Sequence, residues 1–148
     1  MFLLSILGCG GGGGQIVNQN TLTVTPNSSW GTLFGQASIE FPAGTFATTT
    51  TVTMRDETPP HFTDPNFHAI QRPITFSAPA AAKAFDVYYP DSTGYSQLEA
   101  VALSGSQAIA TLPVLRQDGQ VGIHIDPTLI PPGAGPLQVT ICLGEVSH

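Results

Sequence analysis

Histidine, carboxylate and serine side chains are the groups in this 148-residue sequence whose spacing could build a catalytic or metal site. The four histidines show no short spacing to one another or to a cysteine of the kind that holds zinc. No two of the ten carboxylates are paired at a spacing suited to acid–base catalysis, and no Gly-x-Ser-x-Gly motif marks a nucleophile. We therefore expect a protein that is not an enzyme and that holds no metal and no cofactor.

One tripeptide, His61-Phe62-Thr63, has the residue types of a chemical site. It resembles the His-hydrophobe-Ser/Thr cleavage site of self-cleaving domains. The resemblance implies that His61 is a general base and that Thr63 attacks the preceding carbonyl through a strained turn. The tripeptide follows Pro59-Pro60 in a stretch that is typical of a loop. Self-cleavage is therefore a second alternative to a non-catalytic role.

Aromatic residues offer a different kind of site. Trp30, Tyr88 and Tyr95 could form an aromatic face that binds sugar or peptide. A competing interpretation is structural, because aromatic residues are enriched in strands. On that interpretation Tyr89 packs in the core and Tyr88 covers an outer face.

The residues around Cys9 indicate a targeting signal. Residues 1–8 are almost wholly apolar, too few to span a membrane but suited to a short signal peptide. Ile6-Leu7-Gly8-Cys9 resembles the lipobox of bacterial lipoproteins, and five glycines follow. The resemblance implies that Cys9 carries the acyl chains and anchors the protein to a membrane, with residues 9–20 as a glycine-rich linker. An ordinary secretion signal and an N-terminal strand with a free thiol remain open.

The elements that position these residues are predicted to be strands. Gly and Pro number 16 and 13, charged residues are only 9%, and nine short stretches have the pattern of strands, most of them with apolar and polar residues in alternation. Pro113 within one stretch indicates an edge strand. The region of residues 80–84 allows one helical turn at most. The sequence therefore predicts an all-β fold, a single antiparallel β-sandwich of about eight or nine short strands over residues 21–148.

The alternation also predicts which side chains are buried. The expected core is Ile39, Phe41, Val52, Ile74, Phe76, Val87, Val121, Ile123, Val139 and Ile141. Cys142 falls on the opposite face of the last strand from Ile141 and Leu143. We expect it to be a lone reduced thiol that packs as a small hydrophobe under a loop or edge.

The stretch from Gln36 to Met54, QASIEFPAGTFATTTTVTM, resembles the ZU-type β-sandwich domain of ankyrins and netrin receptors, which also recurs in bacterial surface lipoproteins. The match is carried by Pro42-Ala43-Gly44 between two alternating strands, and by Arg72-Pro73-Ile74-Thr75-Phe76 further on. The resemblance implies a sandwich used for contacts with other proteins or for spacing.

These observations lead to one functional expectation. The protein is a lipoprotein of the bacterial cell envelope, at the outer membrane or cell surface, with a non-catalytic binding or spacer module. The alternative is a module that binds carbohydrate or peptide. The expected partners are the membrane, through Cys9, and an envelope protein or glycan. Nucleic acid is excluded, because the net charge is −6 and the four cationic side chains are scattered.

Overall fold

The computed structural model describes residues 15–91, 97–131, 133 and 135–147. These residues form two antiparallel β-sheets that pack face to face, which confirms the all-β sandwich. The one helical element in the described ranges is a single 3-10 turn, Pro127–Leu129. Within the same ranges, no helix has the length and apolar character needed to cross a membrane.

The described residues form twelve strands. The seven-stranded sheet contains, in spatial order, β1 (Ile16–Val24), β4 (Thr50–Glu57), β6 (Ile74–Ala78), β12 (Leu137–Val146), β8 (Leu98–Ser104) and β9 (Gln107–Leu112), with β5 (Phe67–Ala69) paired to one end of β12. The five-stranded sheet contains, in spatial order, β10 (Val114–Gln117), β11 (Gln120–Ile125), β7 (Phe85–Pro90), β3 (Ala37–Phe41) and β2 (Trp30–Phe34).

The number of strands exceeds the eight or nine expected, for local reasons. β2 contains Gly31 in place of a side chain and β5 has only three residues, so neither gives a clear alternating pattern. Pro113 divides one predicted strand into β9 and β10, because proline cannot donate to the ladder and the chain passes there from one sheet to the other. Both halves lie at sheet edges, as the proline predicts.

The sheet also begins earlier than expected. β1 starts at Ile16 and pairs with β4, whereas the sequence predicts a linker up to residue 20. The first residues of β1 are exposed, so the run Ile16 to Asn20 carries no burial pattern that the sequence could reveal. Cys9 and the predicted signal peptide, residues 1–8, lie outside the described residues.

The core lies between the two sheets. All ten residues predicted to form it are buried. At its centre the ring of Phe85 lies 5.1 Å from that of Phe41 and 5.2 Å from that of Phe76. Residues 80–84 form no helix, in agreement with the limit of one turn.

A second, smaller apolar cluster lies on the outer face of the seven-stranded sheet. It contains Phe67, Val101, Leu103 and Cys142, with Phe62 packed against it. Cys142 is fully buried in this cluster and is a free thiol within the described residues, so its predicted packing as a small hydrophobe is confirmed. Burial raises the pKa of this thiol to about 12.

Candidate functional site

The outer face of the five-stranded sheet carries a row of side chains that crosses every strand. In register, the row runs Leu33, Ser38, Tyr88, Gly122 and Leu115. Four inter-strand steps of about 4.8 Å make it about 19 Å long. Both terminal leucines are exposed, Leu33 by 74% and Leu115 by 63%. Alternation places these residues outward because their neighbours in each strand fill the core.

A groove of about 430 Å³ lies along the half of this row formed by β7, β11 and β10. The Tyr88 ring forms part of it and lies against the backbone of Gly122. A Cβ atom on Gly122 would stand 3.0 Å from Cε1 of the ring, closer than ordinary van der Waals contact. Glycine at this position therefore lets the aromatic ring settle onto the sheet.

Polar side chains surround the ring. His124 lies 2.8 Å from Asp86, Nδ1 to Oδ1, across paired positions of β11 and β7. The His124 side chain is 53% exposed. Gln117 and Gln120 line the far end of the groove. Burial, followed by the nearby charges of Asp86 and Glu40, raises the pKa of Tyr88, which keeps its phenol protonated.

The wall of the groove is held in place by a tight hairpin and an ion pair. Asp118 and Gly119 have φ of 55° and 75°, which matches the two-residue turn that joins twisted strands most easily. Arg116 donates from Nε and Nη2 to the two carboxylate oxygens of Asp91, at 3.1 and 2.8 Å. The backbone N–H of Asp91 donates to the carbonyl of Gly119. The turn that carries Gln117 and Gln120 is thus tied to the end of β7.

The structure separates two members of the predicted aromatic face. Trp30 pairs with the buried Phe41 and so faces the same side of the sheet, at its edge, whereas Tyr88 faces outward. The indole Nε1–H of Trp30 donates to Thr25 Oγ1 at 2.8 Å. Trp30 and Tyr88 therefore do not lie on one face, and the buried Tyr89 beside the outward-facing Tyr88 agrees with the competing, structural interpretation. Tyr95 lies outside the described residues.

The tripeptide His61-Phe62-Thr63 has a packing role. The Phe62 ring lies 4.9 Å from that of Phe67, edge to face, over the second apolar cluster. The backbone N–H of Thr63 donates to the Ser106 carbonyl, and the two hydroxyls lie 3.4 Å apart. These contacts tie the segment to the β8–β9 turn.

Three features of the groove escaped the sequence analysis, namely Gly122, the Asp86–His124 pair and the glutamines. Asp86 and His124 are 38 residues apart, and only the pairing of β7 with β11 brings them together. The usable signal was the alternation itself, which assigns Asp86, Tyr88, Gly122 and His124 to outward positions.

Comparison with known proteins gives no matching family, no matching curated sequence and no matching solved structure.

Proposed function

We propose that this protein is a lipid-anchored component of the bacterial cell envelope whose sandwich is a non-catalytic carbohydrate-binding module. The observation that carries the proposal is the Tyr88 ring seated on Gly122, within a groove of hydrogen-bonding side chains. An aromatic ring offers an apolar platform for the C–H face of a sugar. Nearby amides and carboxylates can bond the hydroxyl groups.

The shape and charge of the groove favour a neutral glycan chain. The groove crosses β7, β11 and β10, two inter-strand steps or about 10 Å, which suits a short run of sugar units better than one. Asp86 and Asp118 both line it, and they would repel an anionic ligand. Its most basic lining group, His124, already bonds Asp86. The ligand class is therefore an uncharged oligosaccharide.

The anchor is a separate part of the proposal and is supported by the sequence pattern around Cys9. A thioether-linked diacylglycerol there supplies two acyl chains, enough for stable attachment where one chain gives weak binding. With both parts together, the proposed protein is a glycan-binding module held at a membrane surface.

Binding can be tested with an array of neutral oligosaccharides and with isothermal titration of any glycan that is retained. Tyr88→Ala removes the platform, and we expect it to weaken binding at least tenfold. Trp30→Ala is the matched control, because it removes an exposed aromatic ring that lies on the other face of the sheet. If the native protein retains no neutral glycan, or if Trp30→Ala weakens binding as much as Tyr88→Ala, the carbohydrate proposal is wrong.

Anchoring can be tested in bacterial cells supplied with labelled fatty acid. We expect the native chain to incorporate the label and to fractionate with membranes. Cys9→Ser should abolish both properties, whereas Cys142→Ala, which removes the buried thiol, should leave them intact. Membrane retention of Cys9→Ser, or a native chain without label, would contradict the lipid anchor.

A further inference from the structure

A second cavity, of about 270 Å³, opens at one end of the sandwich. It lies where the β2–β3 turn, the end of β4 and residues 70–72 meet. Its polar lining comes from Asp56, Arg72, Tyr89, Gln36 and Gln71. It is distinct from the Tyr88 groove and shares no lining residue with it.

A buried carboxylate forms one side of this cavity. Asp56 is only 5% exposed. Asn18 donates to Asp56 Oδ1 from its backbone N–H at 2.9 Å, and its side-chain Nδ2 lies 3.2 Å from each carboxylate oxygen. Arg72 Nε stands 3.5 Å from Oδ2, an ion-pair distance longer than a good charge-assisted hydrogen bond. Burying a carboxylate is costly unless it is paired and hydrogen-bonded. Asn18 supplies the hydrogen bonds to Asp56, but the ion pair with Arg72 is long.

Tyr89 forms another side. Tyr89 is 2% exposed, and its hydroxyl has no hydrogen-bond partner among the described residues. Burial, with smaller contributions from Cys142 and Asp56, raises the pKa of this phenol, so it remains a donor at every physiological pH. Buried polar groups without a partner are rare in folded proteins, and each one needs a cause. A ligand that accepts from Tyr89 would supply the missing partner.

The arrangement of charges defines the ligand class. A carboxylate and a guanidinium stand side by side at a cavity that Tyr89 also lines. At its rim, Gln71 Nε2 donates to Gln36 Oε1 at 3.1 Å. We propose that this cavity binds a small zwitterion, a free α-amino acid. The ammonium group of the ligand bonds Asp56, and its carboxylate accepts from Arg72 and from the Tyr89 hydroxyl. The volume of about 270 Å³ admits a free amino acid.

Isothermal titration with glycine, alanine and serine tests the site directly. N-acetylalanine N-methylamide, which has the same backbone without either charge, is the control ligand. We expect at least one of the three amino acids to bind and the blocked compound not to bind. Absence of binding by all three, or equal binding of the blocked compound, would overturn the proposal.

Two variants then connect binding to the cavity. Asp56→Asn and Tyr89→Phe should each weaken amino-acid binding at least tenfold, whereas Asp86→Asn, in the Tyr88 groove, should leave it unchanged. Tyr89→Phe keeps the ring and removes only an unpartnered hydroxyl, so it should unfold at the same temperature as the native protein or higher. It thus tests the site even if Asp56→Asn fails to fold. Unchanged amino-acid affinity in Tyr89→Phe, or an equal loss in Asp86→Asn, would refute the assignment.

Discussion

Gly144 allows strand β5 to pack closely over the second apolar cluster. Its replacement by alanine is the sharpest test of that packing. The residue lies in β12 beneath β5, paired with Ala69. A Cβ atom placed on it would stand 2.5 Å from Phe67 Cζ and 2.6 Å from the carbonyl oxygen of His68. The second contact is with backbone, so a side-chain rotation alone cannot relieve it. Gly144→Ala must therefore displace β5 outward.

The cost of that displacement can be bounded in two ways. Overpacking a tightly packed site costs about 1 to 3 kcal/mol. If β5 detaches instead, Phe67 loses its burial, and exposing a buried Phe side chain costs about 1.5 to 3 kcal/mol. Both routes give a loss of about 1 to 3 kcal/mol in the free energy of unfolding. Both also uncover Cys142, which is buried in the same cluster.

Urea unfolding and thiol labelling measure the two consequences separately. In a Cys9→Ser background, so that only Cys142 can react, we expect Gly144→Ala to lower the urea midpoint and to speed labelling under native conditions at least tenfold. Gly31→Ala is the matched control, because a Cβ on Gly31 meets its nearest neighbour, the Ile39 carbonyl oxygen, at an ordinary 3.6 Å. A Gly144→Ala protein within 0.5 kcal/mol of its parent, with Cys142 still protected, would refute this account of the cluster.

Two further predictions concern buried polar groups. The hydroxyls of Thr75 and Thr140 lie 2.7 Å apart, and Thr75 is buried, so Thr140→Val should cost about 1 to 3 kcal/mol by leaving the Thr75 hydroxyl unpaired. The double variant Thr75→Val/Thr140→Val should cost less than the sum of the single changes, and strict additivity in urea unfolding would contradict the pairing. The raised pKa of Cys142 makes stability fall at high pH, because above about pH 9 the unfolded state releases a proton that the folded state keeps until about pH 12. Between these two pH values the thiol lowers the free energy of unfolding by about 1.4 kcal/mol per pH unit. In Cys142→Ala, the free energy of unfolding measured from pH 8 to 11 should therefore fall less steeply by that amount.

Most of the fold was accessible from the sequence because strand alternation is a local property. A buried residue at every second position identified Ile39, Val87 and Ile123 as core without any knowledge of which strands are neighbours. The same rule failed where burial does not alternate. β1 begins with exposed residues at the edge of a sheet, so nothing in its composition distinguishes it from a linker.

The sites escaped prediction because they depend on which strands are neighbours, and alternation does not specify that. Tyr88 could be assigned to an outer face from its own strand, but the residue beneath its ring, Gly122, is set by the pairing of β7 with β11. Trp30 shows the same limit, since its aromatic character alone left open a shared face with Tyr88 that the register of β2 on β3 excludes. Asp56 and Tyr89 come from different sheets, so their cavity exists only after the sheets pack. In a sandwich, local pattern therefore determines which face a side chain takes, and the long-range order of strands determines which side chains can act together.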